Sequence, residues 1–171
     1  FFFKQKTAYE IYQCDWSSDV CSSDLYFENF NKRLVKTPKL YFYDTGILCQ
    51  CLGIESVEHA STHAMRGAFF EGFLMTELIK LNLNKGKRPN LYYWRDHKGL
   101  EVDAVIEKGN SIELIEFKSS QTFQKEYLSN LRKVTILANS DKFKPIAVYG
   151  GKQESSIQDI LVLGWQKFLL G

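Results

Sequence analysis

The sequence predicts an α/β domain in which a mixed β-sheet is flanked by helices, and three observations lead to this prediction. Apolar residues recur at helical spacing over residues 66–83 and again over about 122–138. Three strand patterns lie between these helices, within residues 91–118. Two more strand patterns, Ile146–Tyr149 and Ile160–Leu163, follow the second helix. Helices and strands in this order favour a single sheet covered by helices.

Shorter signals predict the elements before the first long helix. Leu40–Tyr43 is predicted as a short strand made of ordinary strand residues. Asp44 is suited to cap a helix over Thr45–Leu52, and Gly53 is suited to end it. Residues 54–65 are polar and are predicted as a loop.

Residues 101–118 carry the most informative pattern of the chain, because they predict a β-hairpin. Val102, Ala104 and Ile106 alternate with their neighbours at the period of a strand. Lys108–Ser111 has the composition of a turn, and so short a loop joins antiparallel strands. Leu91–Arg95 predicts a further strand just upstream.

The hairpin brings three chemically active side chains together. Asp103 lies on its first strand, whereas Glu116 and Lys118 lie two residues apart on the second and therefore project from one face. Charges at the end of an apolar strand face are costly to bury unless they are paired or bind a metal. Two carboxylates suit Mg²⁺ or Mn²⁺, which would activate a water and offset charge on a phosphate. Lys118 would orient or activate that water, so the pattern predicts phosphodiester cleavage.

Glu71 is predicted to join this cluster from the helix of residues 66–83. It shares a face with Leu74 and Leu78, and a carboxylate on a core-facing stripe needs a partner. It would position a metal-bound water or a second metal. The alternative is a set of structural salt bridges, in which Lys118 pairs with Glu116 or with Asp103 at a sheet edge. Hairpin spacing alone leaves both interpretations open.

Five residues outside the cluster are candidates for contacts with nucleic acid. Trp94 and Arg95 precede the hairpin and could stack on or pair with a nucleic acid. The loop that carries Lys85, Lys87 and Arg88 could contact phosphate. A core aromatic residue and a solvated loop are the more common explanations of such patterns.

Histidine and cysteine provide few further metal ligands. His59 and His63 are four residues apart and could hold a metal if they lie on a helix, but no third ligand is obvious. Cys49 and Cys51 do not face each other in a helix, so they indicate neither a zinc site nor a disulfide framework. A reducing cytoplasm is therefore the expected location.

Residues 1–25 are interpreted as a translated cloning or sequencing artefact, with a natural disordered leader as the alternative. Lys4–Glu10 and Trp16–Leu25 back-translate to the two ends of a common short-read sequencing adapter, so the segment is set aside from fold reasoning. It contains two lysines and four acidic residues, and without it the net charge of +2 becomes +4. This mildly basic balance is compatible with nucleic acid but does not require it. No apolar run is long enough to span a membrane.

Several short sequence segments, in a fixed order, make the chain similar to a known family. They are Thr37–Gly46, Arg66–Glu71, Tyr93–Arg95, Glu101–Asp103 and Ile115–Ser120. An acidic helix followed by an aspartate and a Glu-x-Lys strand resembles the PD-(D/E)xK nuclease-like superfamily. Together, the five segments resemble the C-terminal domain of unknown function 4143, over nearly all of residues 30–170.

The resemblance implies a restriction-endonuclease-like fold over residues 40–171, preceded by a linker or a winged-helix remnant at 26–39. The acidic helix residue of the family falls on Glu71, its aspartate on Asp103, and its Glu-x-Lys on Glu116 and Lys118. The resemblance implies that these four are catalytic and that the three carboxylates bind the metal.

The resemblance also implies a larger prokaryotic protein with an AAA-type ATPase domain upstream, and DNA as the partner. This chain has no Gly-x-x-x-x-Gly-Lys-[Ser/Thr] phosphate loop, so it is not expected to hydrolyse ATP itself. Whether the domain cuts DNA, only binds it or regulates the ATPase is left open by the resemblance.

Overall fold

The computed structural model describes residues 41–170. The segments interpreted as artefact and linker, residues 1–25 and 26–39, lie outside the described residues. The elements in chain order are α1 (Thr45–Cys51), α2 (Val57–Thr62), α3 (Arg66–Asn84), β1 (Leu91–Arg95), β2 (Glu101–Lys108), β3 (Ser111–Lys118), a 3₁₀-helix (Lys125–Leu128), α4 (Ser129–Ala138), β4 (Phe143–Tyr149), β5 (Ser155–Ile157), β6 (Ile160–Gly164) and α5 (Trp165–Leu170).

The six strands form one mixed sheet in the order β1-β2-β3-β4-β6-β5. Strands β1, β2 and β3 are antiparallel neighbours, β4 runs parallel to both β3 and β6, and β5 is antiparallel to β6. The crossover from β3 to the parallel β4 passes through α4, because parallel neighbours cannot be joined by a tight turn. The predicted mixed sheet flanked by helices is confirmed.

Each face of the sheet has its own apolar core. Helices α3 and α5 cover one face, where Leu74 and Ile79 pack with Ile115 and Val148. The 3₁₀-helix and α4 cover the other face; this second cluster includes Trp94, Val102, Leu114, Leu128, Leu131, Val134 and Ala147. None of the helices within residues 41–170 is long and apolar enough to cross a membrane.

The predicted hairpin is present. Lys108 pairs with Ser111, and Gly109 between them has a φ of +58°, a conformation that glycine adopts without a steric penalty. The predicted helix starting at Thr45 is also present: the Asp44 side chain accepts hydrogen bonds from the first turn, and Gly53 follows with a φ of +68°.

Three predictions about secondary structure were wrong. Residues 41–43 are not in a strand, because Tyr41 instead turns into the core beside α3. The predicted loop of residues 54–65 contains α2, whose first turn is capped by the Ser56 hydroxyl. The second long helix begins later than predicted, since α4 starts only at Ser129 after a 3₁₀ turn. The short strand β5 was not predicted.

Candidate functional site

The candidate site lies where β2 and β3 separate. Their pairing runs from Lys108 and Ser111 to the last rung, Ala104 with Ile115. Beyond that rung the Asp103 Oδ2 atom accepts a hydrogen bond of 2.8 Å from the backbone N–H of Phe117. The carboxylate thus satisfies a buried donor that the β2–β3 ladder leaves without a strand partner.

A β-bulge in β2 decides which way Asp103 points. Tyr92 pairs with Val105 and Trp94 with Val102, so Asp103 and Ala104 together stand opposite a single residue of β1. Val102 accordingly packs in the α4-side core and Ala104 in the α3-side core. The simple alternation expected from the sequence therefore fails at Asp103, because an extra residue in one strand re-aims its side chain.

Glu116 and Lys118 form an ion pair on β3. The Lys118 Nζ atom lies 2.7 Å from Glu116 Oε1, in agreement with the prediction that the two project together. Glu116 is buried with 4% of its surface exposed, whereas the Lys118 side chain is 34% exposed. The other oxygen, Glu116 Oε2, is buried and has no hydrogen-bond partner among the described residues.

Glu71 reaches the site from α3 and is bound by a residue that sequence reasoning missed. The Tyr41 hydroxyl donates a hydrogen bond of 2.6 Å to Glu71 Oε1. The interpretation of Tyr41 as an ordinary strand residue is therefore wrong. The only indication in the sequence that Tyr41 has a role at the site was its position within the segment Thr37–Gly46, which resembles the family.

The pKa shifts show that these groups share one electrostatic environment. Burial raises the pKa of Glu116, and the charges of Glu101 and Glu71 add to this, whereas Lys118 acts in the opposite direction. Burial alone would lower the pKa of Lys118, but its hydrogen bond and charge interaction with Glu116 outweigh that effect and raise it. Lys118 therefore remains a cation at neutral pH.

Tyr41 belongs to the same environment. Burial raises its pKa most, followed by the charge and the hydrogen bond of Glu71 and then by the charges of Asp103 and Glu101. The neutral hydroxyl is therefore the stable form, and it acts as a hydrogen-bond donor.

Glu101 is a fourth carboxylate near the site, and sequence reasoning did not select it. It begins β2, and its Oε2 atom lies 3.6 Å from Arg95 Nε at the end of β1. Arg95, predicted as a nucleic-acid contact, therefore lies beside an acidic residue at the site end of the sheet. Its side chain is 47% exposed.

The structure does not bring the basic loop to the site. Lys85, Lys87 and Arg88 are exposed and follow the end of α3, and the first of them is fourteen residues beyond Glu71. At 1.5 Å per residue this places Lys85 roughly 20 Å from Glu71 along the helix.

Trp94 is buried in the α4-side core with 5% of its surface exposed, so the core interpretation of this ring is the one that the structure supports.

The histidine pair does not form a site with a third ligand in the part of the chain that the structure describes. The His59 and His63 rings lie 5.9 Å apart, His63 stacks on Phe69, and His63 Nδ1 accepts a hydrogen bond from the Met65 N–H. Within residues 41–170 no group of three or more His, Cys, Asp and Glu side chains is arranged to hold a metal ion.

Asp103 and Glu116 nevertheless fit a hard divalent cation. Carboxylate oxygens are the ligands of Mg²⁺ and Mn²⁺, and Glu116 Oε2 is a buried acceptor without a donor among the described residues. Mg²⁺ commonly uses one or two carboxylates and completes its shell with waters and substrate phosphates. The donor set therefore fits a partly hydrated ion and does not fit a cage built by protein ligands alone.

The fold and the site define an α/β domain with a buried carboxylate–lysine cluster at a split in a mixed sheet. The chain belongs to the family described as Domain of unknown function (DUF4143), whose model matches residues 66–168. A second model, Domain of unknown function (DUF8612), matches residues 21–58 and thus overlaps the last residues of the segment interpreted as adapter.

Two curated relatives match part of the chain. They are the uncharacterized protein Rv2008c of Mycobacterium tuberculosis and the uncharacterized protein Mb2031c of Mycobacterium bovis, each 35% identical over 98 residues. The match covers 57% of this chain and 21% of each relative, so it spans about a fifth of their length.

Proposed function

We propose that this domain is a metal-dependent nuclease module of restriction-endonuclease-like fold that cleaves DNA phosphodiester bonds. One observation carries the proposal: the buried Glu116 has an oxygen with no hydrogen-bond partner among the described residues, beside Lys118 and one strand away from Asp103. Leaving a buried carboxylate oxygen unsatisfied is costly, and sites that tolerate such a cost are often functional.

The residues of the cluster would have different roles. Asp103 and Glu116 would hold Mg²⁺ or Mn²⁺, which when bound lowers the pKa of a water and offsets charge on the phosphate. Lys118, whose pKa is raised, remains protonated and would stabilise negative charge on the phosphate rather than accept a proton. Glu71, bound by Tyr41, would orient a water at the edge of the cluster.

We further propose that the domain works within a larger prokaryotic, cytoplasmic protein that carries an AAA-type ATPase domain. The length of the curated relatives supports this, because the match covers only 21% of them. The match of residues 21–58 to a second family also supports a multidomain arrangement.

Calorimetric titration of Mn²⁺ into the full chain, followed by a plasmid cleavage assay, tests the proposal. We expect Mn²⁺ binding and cleavage in the parent, and loss of both in Asp103→Asn and Glu116→Gln. Glu107→Gln is the matched control, because Glu107 is an exposed carboxylate on the same strand as Asp103. A folded parent that binds no Mn²⁺ and leaves DNA intact would refute the nuclease proposal.

A second candidate is a non-catalytic module that binds DNA or a protein and regulates its ATPase. The Lys118–Glu116 ion pair favours it, since that contact is also what a structural salt bridge would show. For such a module Glu116→Gln should leave binding unchanged, and neutralising Lys85, Lys87, Arg88 or Arg95 should weaken DNA binding at low salt. No DNA affinity at low salt would favour a protein partner.

A further inference from the structure

Tyr41 contacts the candidate site from outside the β-hairpin. Its hydroxyl donates to Glu71 Oε1 at 2.6 Å across thirty residues of sequence. Only 8% of Tyr41 is exposed, and its ring packs in the α3-side core. A Cβ atom added at Gly72 would meet the ring at 3.7 Å, so the ring lies against the turn of α3 that carries Glu71.

Tyr41 lies outside the residues that the DUF4143 model matches. The DUF4143 model begins at residue 66, whereas Tyr41 lies within residues 21–58, the range of the second family model. Glu71, its hydrogen-bond acceptor, lies in the first turns of the matched domain. The acidic cluster thus draws one of its hydrogen-bond donors from a segment that precedes the matched residues.

We infer that Tyr41 is a positioning residue, which holds Glu71 in the orientation that the metal cluster requires and links the segment before the domain to the site. The inference rests on the proposed function. A glutamate side chain has several rotatable bonds, and a donor on a buried ring restricts them. Outer-shell partners of this kind are commonly worth about 10–100-fold in metal affinity or activity.

The test is a double-mutant cycle on the full chain, with Mn²⁺ affinity as the readout. Tyr41→Phe removes only the hydroxyl and should weaken Mn²⁺ binding about tenfold while thermal unfolding remains cooperative. In a Glu71→Leu background, which has no acceptor for the Tyr41 hydroxyl, the same change should have little further effect, because the two residues act through one contact. Tyr43→Phe is the matched control, since Tyr43 is two residues away and 43% exposed, and it should bind Mn²⁺ like the parent.

Each outcome decides the inference. Equal Mn²⁺ affinity in Tyr41→Phe and the parent overturns it while the proposed function stands. An equal loss with and without the Glu71→Leu substitution also overturns it, because Tyr41 would then act through the fold alone. A folded parent that binds no Mn²⁺ overturns both proposals. If Tyr41→Phe does not fold, Glu71→Leu removes the same contact from the other side, and unchanged Mn²⁺ affinity there overturns the inference.

Discussion

The Asp103 carboxylate accepts the backbone N–H of Phe117 at 2.8 Å, just beyond the last rung that joins β2 to β3. This contact gives Asp103 a structural role that is separate from any role in metal binding. It also links β2 to β3 beyond their last backbone rung, between Glu116 and Lys118. Substitutions at Asp103 therefore need to separate folding from ligand binding.

We expect Asp103→Ala to lower the free energy of unfolding by about 1–3 kcal/mol, because it leaves the buried Phe117 N–H without this acceptor. Asp103→Asn retains an acceptor oxygen and should cost less. Urea unfolding followed by circular dichroism measures both. Equal stability of the alanine and asparagine variants would show that the hydrogen bond contributes little.

Glu116 should make stability depend on pH in a metal-free buffer. Its pKa is raised in the folded chain, so the folded state binds more protons than the unfolded state between the ordinary carboxyl pKa and the raised value. The free energy of unfolding should therefore fall as pH rises through that window. Glu116→Gln should remove this part of the slope. Glu107→Gln, at an exposed position of the same hairpin, should leave the slope unchanged.

Lys118→Met should destabilise the fold, because it leaves the buried Glu116 charge without its ion-pair partner. We expect a loss of about 1–3 kcal/mol, below the roughly 3–5 kcal/mol of fully buried pairs since Lys118 is a third exposed. The double variant Lys118→Met with Glu116→Gln should recover most of the loss. Additive effects of the two changes in urea unfolding would contradict a direct coupling.

Close backbone packing makes Gly164 intolerant of a side chain. A Cβ atom there would lie 2.4 Å from the Gly151 carbonyl oxygen and 2.9 Å from Lys152 Cα, both of them backbone atoms. Gly164→Ala should therefore lower the free energy of unfolding by about 1–3 kcal/mol.

Gly67→Ala is the matched control for this change. Gly67 lies in α3, and an added Cβ atom would meet nothing within 4 Å. Alanine should therefore raise stability by up to about 1 kcal/mol, because it favours the helix. Thermal unfolding of both variants measures the difference, and a Gly164→Ala variant as stable as the parent would contradict the packing argument.

The elements with long or strongly periodic patterns were predictable from the sequence. The stripe of α3, the alternation of β3 and the Gly109 turn are local signals, and each was confirmed at nearly the predicted residues. The pairing of Glu116 with Lys118 was predictable for the same reason, since residues two apart on a strand share a face.

The features that sequence reasoning missed have non-local causes. The bulge at Asp103 arises from the pairing of β2 with β1, and nothing in the residues of β2 indicates it. Tyr41 has the local sequence pattern of a strand residue, but its hydroxyl donates a hydrogen bond to Glu71 on α3, thirty residues away in the chain. The sequence indicates the basic loop at Lys85 as a possible phosphate contact, but the length of α3 separates this loop from Glu71.

The sequence by itself determined the helix α3, the β2–β3 hairpin and the shared face of Glu116 and Lys118, because periodicity and turn chemistry act over a few residues. Only the tertiary structure decided that Asp103 accepts the Phe117 N–H, that Glu116 Oε2 is buried and that Tyr41 donates to Glu71. These three relationships depend on strand register and helix packing, which bring together residues far apart in the chain.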